Sequence, residues 1–198
     1  LKRVKEAGEK LSDEQLGDLR WLIDLYGIAI EKMPDDDWNI RSKALLHLRA
    51  GQQAEAKDIY KRLCQKMGEK YYIWSEFADC WEDVNVKIAF LCKALSLEKN
   101  EDFIGKMRLE LARQLIKSKK YANAVVELGQ YKKHYVGKGW RIDSEVDVLL
   151  EQCSSATPVS DNNAALYAKN ISIAEEYVYE DIPFTEVVLV DKRRNENG

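Results

Sequence analysis

Ten basic residues fall between Lys106 and Arg141, and only Glu110 and Glu127 oppose them. The next stretch, from Ile142 to Pro183, reverses the sign: nine carboxylates stand against Lys169 alone. Charge segregated on this scale has three uses. The two halves can neutralise each other as solvated faces, or cations can grip an anionic peptide or phosphorylated segment. In the third use, lysines meet the phosphates of a nucleic acid. The residues placed for that are Lys117, Lys119, Lys120, Lys132 and Lys133, with Tyr121, Tyr131, Tyr135 and Trp140 available for base stacking.

Residues suited to catalysis are scarcer. His47 and His134 have no Cys, Ser or carboxylate partner at a recognisable spacing. The stretch "HYVGKGW" holds two glycines and a lysine, but neither the spacing nor the preceding strand of a phosphate-binding loop, so it reads as a turn. Cys64, Cys80, Cys92 and Cys153 form no C-x-x-C and read as reduced thiols on buried helix faces, as in a reducing cytosol. A non-catalytic protein with no metal and no cofactor is the expectation.

The elements that position these groups are helices. The chain has 198 residues, is 45% hydrophobic and 33% charged, and carries three prolines and ten glycines. That balance favours a helix-rich soluble protein over disorder. A net charge of −3 argues against a polycation. No run of about 18 apolar residues exists, so no transmembrane helix is expected. The charged start "LKRVKEAGEK" argues against a signal peptide, and the lack of an initiator Met points to a piece of a larger protein. The expected location is cytoplasmic.

Residues 13–33 place Leu16, Leu19, Ile23, Tyr26 and Ile30 at three- and four-residue steps, which predicts an amphipathic helix. Ser12 is its N-cap, with Gln15 completing a capping box. Pro34 ends the helix, and the run Asp35–Asp37 caps the next. Two later stretches then align on their turns, "LLHLRAGQQAEAKDIYKRL" and "ELARQLIKSKKYANAVVELGQY". Ala44 falls over Ala112, Gly51 over Lys119, Ala56 over Ala124, Tyr60 over Leu128 and Leu63 over Tyr131. Between them, "WSEFADCWEDVNVKIAFLCKALSL" enters the same frame with Ser75, Lys87, Leu91 and Ala94. Each repeat is two antiparallel helices. A small residue on each lets the backbones approach to about 8 Å rather than 10, and one pair cannot bury both its faces, so the pairs stack.

Over roughly residues 38–135 this pattern resembles the tetratricopeptide repeat family. The second repeat departs from it, lacking the turn glycine and placing Lys87 where a small residue belongs, and the terminal proline is absent throughout. The resemblance implies an all-α solenoid of helix hairpins with a capping helix, and a ligand on the concave face made by the first helix of each pair. The matching positions are Arg41, Leu45 and Arg49; Tyr72, Glu76 and Asp79; and Lys106, Leu109, Arg113 and Lys117. Members that grip a C-terminal carboxylate use a Lys and an Asn where this chain has Arg41 and Leu45. They use a Lys and an Arg where it has Lys106 and Glu110. That activity is therefore not implied.

After Trp140, "RIDSEVDVLLEQC" predicts a capping helix with Ile142, Val146 and Leu149 or Leu150 inward. The repeat domain is taken as residues 1–153, residues 154–163 as a linker, and residues 164–198 as a helix followed by a strand or tail around Phe184, Val188 and Val190. That last part resembles helical-repeat regions of multidomain bacterial conflict-system proteins. The expected function is a protein–protein interaction scaffold whose groove takes a peptide, a partner protein or a neighbouring domain. The alternative is an accessory module of a nucleic-acid-associated protein. Within this scheme the acidic segment from Ala164 to Val190 folds back over the basic third repeat as an internal ligand.

Overall fold

A computed structural model describes residues 11–158 and 160–183. Among them the chain forms helices and no strand. The first is α1 (Asp13–Lys32), fixed at its start by the predicted capping box: Ser12 Oγ accepts from the Gln15 N–H at 3.2 Å, and Gln15 Oε1 accepts from the Ser12 N–H at 2.8 Å. Helix α2 (Asp37–Arg49) starts on Asp36, whose carboxylate accepts from the Trp38 and Asn39 N–H groups.

The joint between α2 and α3 (Gln53–Lys66) shows why Gly51 and Lys119 align. Gly51 has φ +75°, its N–H donates to Leu48 O, and the Gln52 N–H donates to His47 O at 2.9 Å. This left-handed cap satisfies carbonyls that the helix end would otherwise orphan. Between α6 (Glu101–Lys117) and α7 (Tyr121–Lys138) the geometry recurs at Lys119, φ +60°. Lys119 N–H donates to Ile116 O and Lys120 N–H to Leu115 O at 2.8 Å. Ala44, Ala56, Ala112, Ala124, Tyr60 and Leu128 are all fully buried, as the aligned positions require.

The middle hairpin is different. Helices α4 (Tyr71–Ala78) and α5 (Val84–Leu97) are joined by residues 79–83 and capped by Asp83, which accepts from the Asn85 and Val86 N–H groups. Ser75 and Lys87 are half-buried and do not fill the seats expected of them; Ile73, Trp74, Ile88 and Ala89 hold the fully buried positions. The longer connection replaces the glycine-type turn, so the crossing is built from large side chains: Phe77 and Phe90 meet at 4.6 Å between ring centroids.

Helix α8 (Glu145–Gln152) turns Val146 and Leu149 inward against α6 and α7, as predicted. The last helix, α9 (Ala164–Tyr179), lies along α5 and α3, and its Ala174 and Val178 belong to the same core as the hairpins. By contrast, α1 packs on α2 through a small separate cluster of Leu19, Ile23 and Leu46. The four cysteines are buried and unpaired; burial raises the Cys80 thiol to about 12. No helix is long and apolar enough to cross a membrane among the described residues. Phe184, Val188 and Val190 lie outside the described residues.

Candidate functional site

Helices α2, α4 and α6, the first of each hairpin, bring most of the predicted face together. Arg41 forms a two-pronged ion pair with Glu76, and Glu76 also accepts from the Tyr60 hydroxyl at 3.2 Å. The guanidinium lies 4.7 Å from the Tyr72 ring centre and 5.2 Å from that of Trp38. Hydrogen bonding to Glu76 raises the Arg41 pKa further, so this cation is permanently held. Farther along, Arg113 is clamped by Glu145 from α8 and by Glu110 at 2.7 Å. The same contact holds the Glu145 carboxyl below its ordinary range.

Between these two locked pairs stands Asp79, with no side-chain hydrogen bond or ion pair among the described residues. Its carboxyl reaches solvent but is crowded by protein. The resulting desolvation, reinforced by Glu110 and Glu76 and opposed by Lys87, raises its pKa to about 6. Leu45 and Arg49 on α2 are half-buried, and the Arg49 Nε is enclosed with no hydrogen-bond partner among the described residues. Leu109 is buried; with exposed Lys106 it lines a separate cleft of about 310 Å³, shared with Tyr131, Tyr135 and Ile142. Lys117 is exposed at the end of α6. The predicted cations Arg41 and Arg113 are therefore already paired, and the middle of the face is acidic.

The lysines proposed for phosphate contact do not form one cluster. Lys117, Lys119 and Lys120 gather at the α6–α7 turn, with Lys120 donating to Asn85 Oδ1 at 3.4 Å. Lys132 and Lys133 lie about 17 Å further along α7 at 1.5 Å per residue, and Lys132 is paired with Asp147 at 2.9 Å. Lys138 and His134 both contact Asp102. Much of the basic excess is thus engaged within the protein.

The acidic segment does fold back, but not where its charge suggested. Glu145 and Asp147 meet the third hairpin, whereas the acids at the far end of α9 pair with the other hairpins: Lys93 donates to Glu175 at 2.6 Å, and Lys61 lies 3.0 Å from Glu180 and 3.4 Å from Asp181. The α9 helix packs on α5 and α3, the second helices of their hairpins, and so does not occupy the α2–α4–α6 face as an internal ligand. Its anchor is a buried network absent from the predicted site. Glu127 is fully enclosed and accepts from Arg108 at 2.7 Å, Asn163 at 2.7 Å and Tyr167 at 2.5 Å. Arg108 also donates to Glu101, and together the two carboxylates outweigh the burial that opposes its charge. One signal was available: Glu127 sits three residues after Ala124 and four before Tyr131, on the inward side of α7.

Among the described residues, the hairpins α2–α3, α4–α5 and α6–α7 with α9 packed on α5 and α3 make an all-α fold. The chain belongs to the family described as a domain of unknown function (DUF7017), whose model matches residues 37–174. That match runs from the first residue of α2 into α9. No curated protein and no solved structure matches the chain.

Proposed function

We propose that this protein is a non-catalytic interaction scaffold, a tetratricopeptide-like array that receives a basic peptide or the basic segment of a neighbouring domain on the face of α2, α4 and α6. The observation that carries this reading is Asp79, an unpaired carboxylate among the described residues, flanked by Glu76 and Glu110 between two fixed arginine clamps. A lysine or arginine side chain arriving there gains a carboxylate that no described side chain hydrogen-bonds or pairs with, Lys87 acting on it only at longer range. Trp38 and Tyr72, beside Arg41, supply aromatic surface at one end, and the clamps hold the face in one geometry before the ligand arrives.

The alternative, nucleic-acid contact, is supported by Lys117, Lys119 and Lys120 at the α6–α7 turn, but the pairing of Arg108, Arg113, Lys132 and Lys138 weakens it. Fluorescence anisotropy with a labelled lysine- and arginine-rich peptide separates the two. The scaffold reading expects binding that Asp79→Asn weakens by about five- to tenfold. Tight, steeply salt-dependent binding of single-stranded RNA at about 50 mM salt, with no effect of Asp79→Asn on the peptide, would overturn it.

A further inference from the structure

We propose that the outward face of α1 is the seam of a two-fold dimer, occupied by α1 of a second copy of this chain running antiparallel. Glu14, Asp18, Trp21, Leu25, Ile28 and Lys32 are all exposed and recur at alternating four- and three-residue steps. That spacing sets them in one stripe, on the side of the helix opposite Leu19 and Ile23, which face α2. Trp21 is 63% exposed, Leu25 44% and Ile28 52%, a contiguous apolar run of the kind that often marks an interaction surface. Helix α1 also precedes the family-matched residues and has its own small core, so it is an addition to the hairpin unit that the family model covers.

The charges at the two ends of the stripe decide the occupant. Glu14 and Asp18 lie at the amino end and Lys32 at the carboxyl end, none engaged by another side chain among the described residues. About a two-fold axis midway between Trp21 and Leu25, an antiparallel copy sets Glu14 against Lys32, Asp18 against Ile28 and Trp21 against Leu25, each pair occurring twice. A parallel copy would oppose Glu14 to Glu14 and Lys32 to Lys32. The same register puts Gly17 opposite Ala29 beside the stripe, small residues that let two backbones approach. The stripe thus meets itself with unlike charges at its ends and apolar side chains at its centre. Asp18 beside Ile28 lies toward the rim, where its carboxylate keeps contact with water. Self-matching of this kind is what a two-fold interface demands.

A seam of one helix pair about 30 Å long is small, so the dimer belongs with weak, concentration-dependent associations. Sedimentation velocity of the full 198-residue chain from about 1 to 200 µM should show the mass doubling over that range. Leu25→Glu should keep it monomeric, with its unfolding midpoint in urea showing that the fold is intact. Glu14→Lys and Lys32→Glu should each weaken association about tenfold through two symmetric like-charge contacts, and the double exchange should restore it. A chain monomeric throughout, a dimer that survives Leu25→Glu, or a double exchange no tighter than the single ones would overturn the proposal.

Discussion

Replacing Glu127 by Gln probes how α9 is held, and its cost follows from hydrogen-bond direction. The carboxylate accepts from three donors: Arg108, Asn163 and Tyr167. Gln is nearly the same shape, but one of its two polar termini is an NH2 group, so in any orientation a donor faces a donor. At least one enclosed partner loses its acceptor, which costs about 1–3 kcal/mol. The buried ion pair to Arg108 is lost as well. Breaking such a pair costs about 3–5 kcal/mol, but Arg108 keeps its two-pronged contact with Glu101, so the low end applies. A total of about 3 kcal/mol is expected, a large part of an ordinary domain stability of about 5–15 kcal/mol. Urea unfolding gives the total. Amide exchange in residues 164–179 should accelerate more than in α2 and α3, because the network ties α9 to α6 and α7. Tyr167→Phe should cost about 1.5 kcal/mol, and the double variant less than the sum of the two. A Glu127→Gln variant within about 0.5 kcal/mol of the parent would refute this account of α9 docking.

Two further outcomes follow from named backbone and titration features. Lys119→Gly should stabilise the chain by about 0.5–1 kcal/mol in urea, since a lysine there holds a left-handed conformation, whereas Gly51→Ala should destabilise it by about 1 kcal/mol. Asp79→Asn should leave stability unchanged near pH 3 and raise it near pH 7. The folded carboxyl, at about 6, binds its proton more tightly than the unfolded one, so stability falls as pH rises from the unfolded value of 3.8 through 6. With solvent screening at this open position, the gain at neutral pH is about 1 kcal/mol or less. Thermal unfolding at both pH values checks it.

Local signals were legible and distant pairings were not. The capping box at Ser12 and Gln15 was readable because both partners lie within one turn. The alignment of Gly51 with Lys119 succeeded even though only one is glycine, because the flanking alanines and large residues kept the frame. The middle hairpin misled at Ser75 and Lys87, since its five-residue connection changes which side chains meet at the crossing. The predicted face named Arg41, Glu76 and Arg113 but not that they pair, because Arg41 and Glu76 are 35 residues apart and Arg113 and Glu145 are 32 apart. Net charge by segment likewise pointed α9 at the third repeat. Only its first turn meets that repeat, through Asn163 and Tyr167 on Glu127; its acids pair with Lys61 and Lys93, where Ala174 and Val178 find an apolar seat between α3 and α5. Apolar burial set the docking site, and charge followed.

In the proposed function, the α2–α4–α6 face receives a cationic segment at Asp79. Amide chemical-shift mapping on titration with a lysine- and arginine-rich peptide tests it most directly, because it reports location rather than affinity alone. The largest shifts are expected around Tyr72, Glu76, Asp79 and Glu110, fading in Asp79→Asn and as pH falls below about 6, where the carboxyl takes up its proton. Shifts centred on α9 and α3, with Asp79 and its neighbours unmoved, would contradict it.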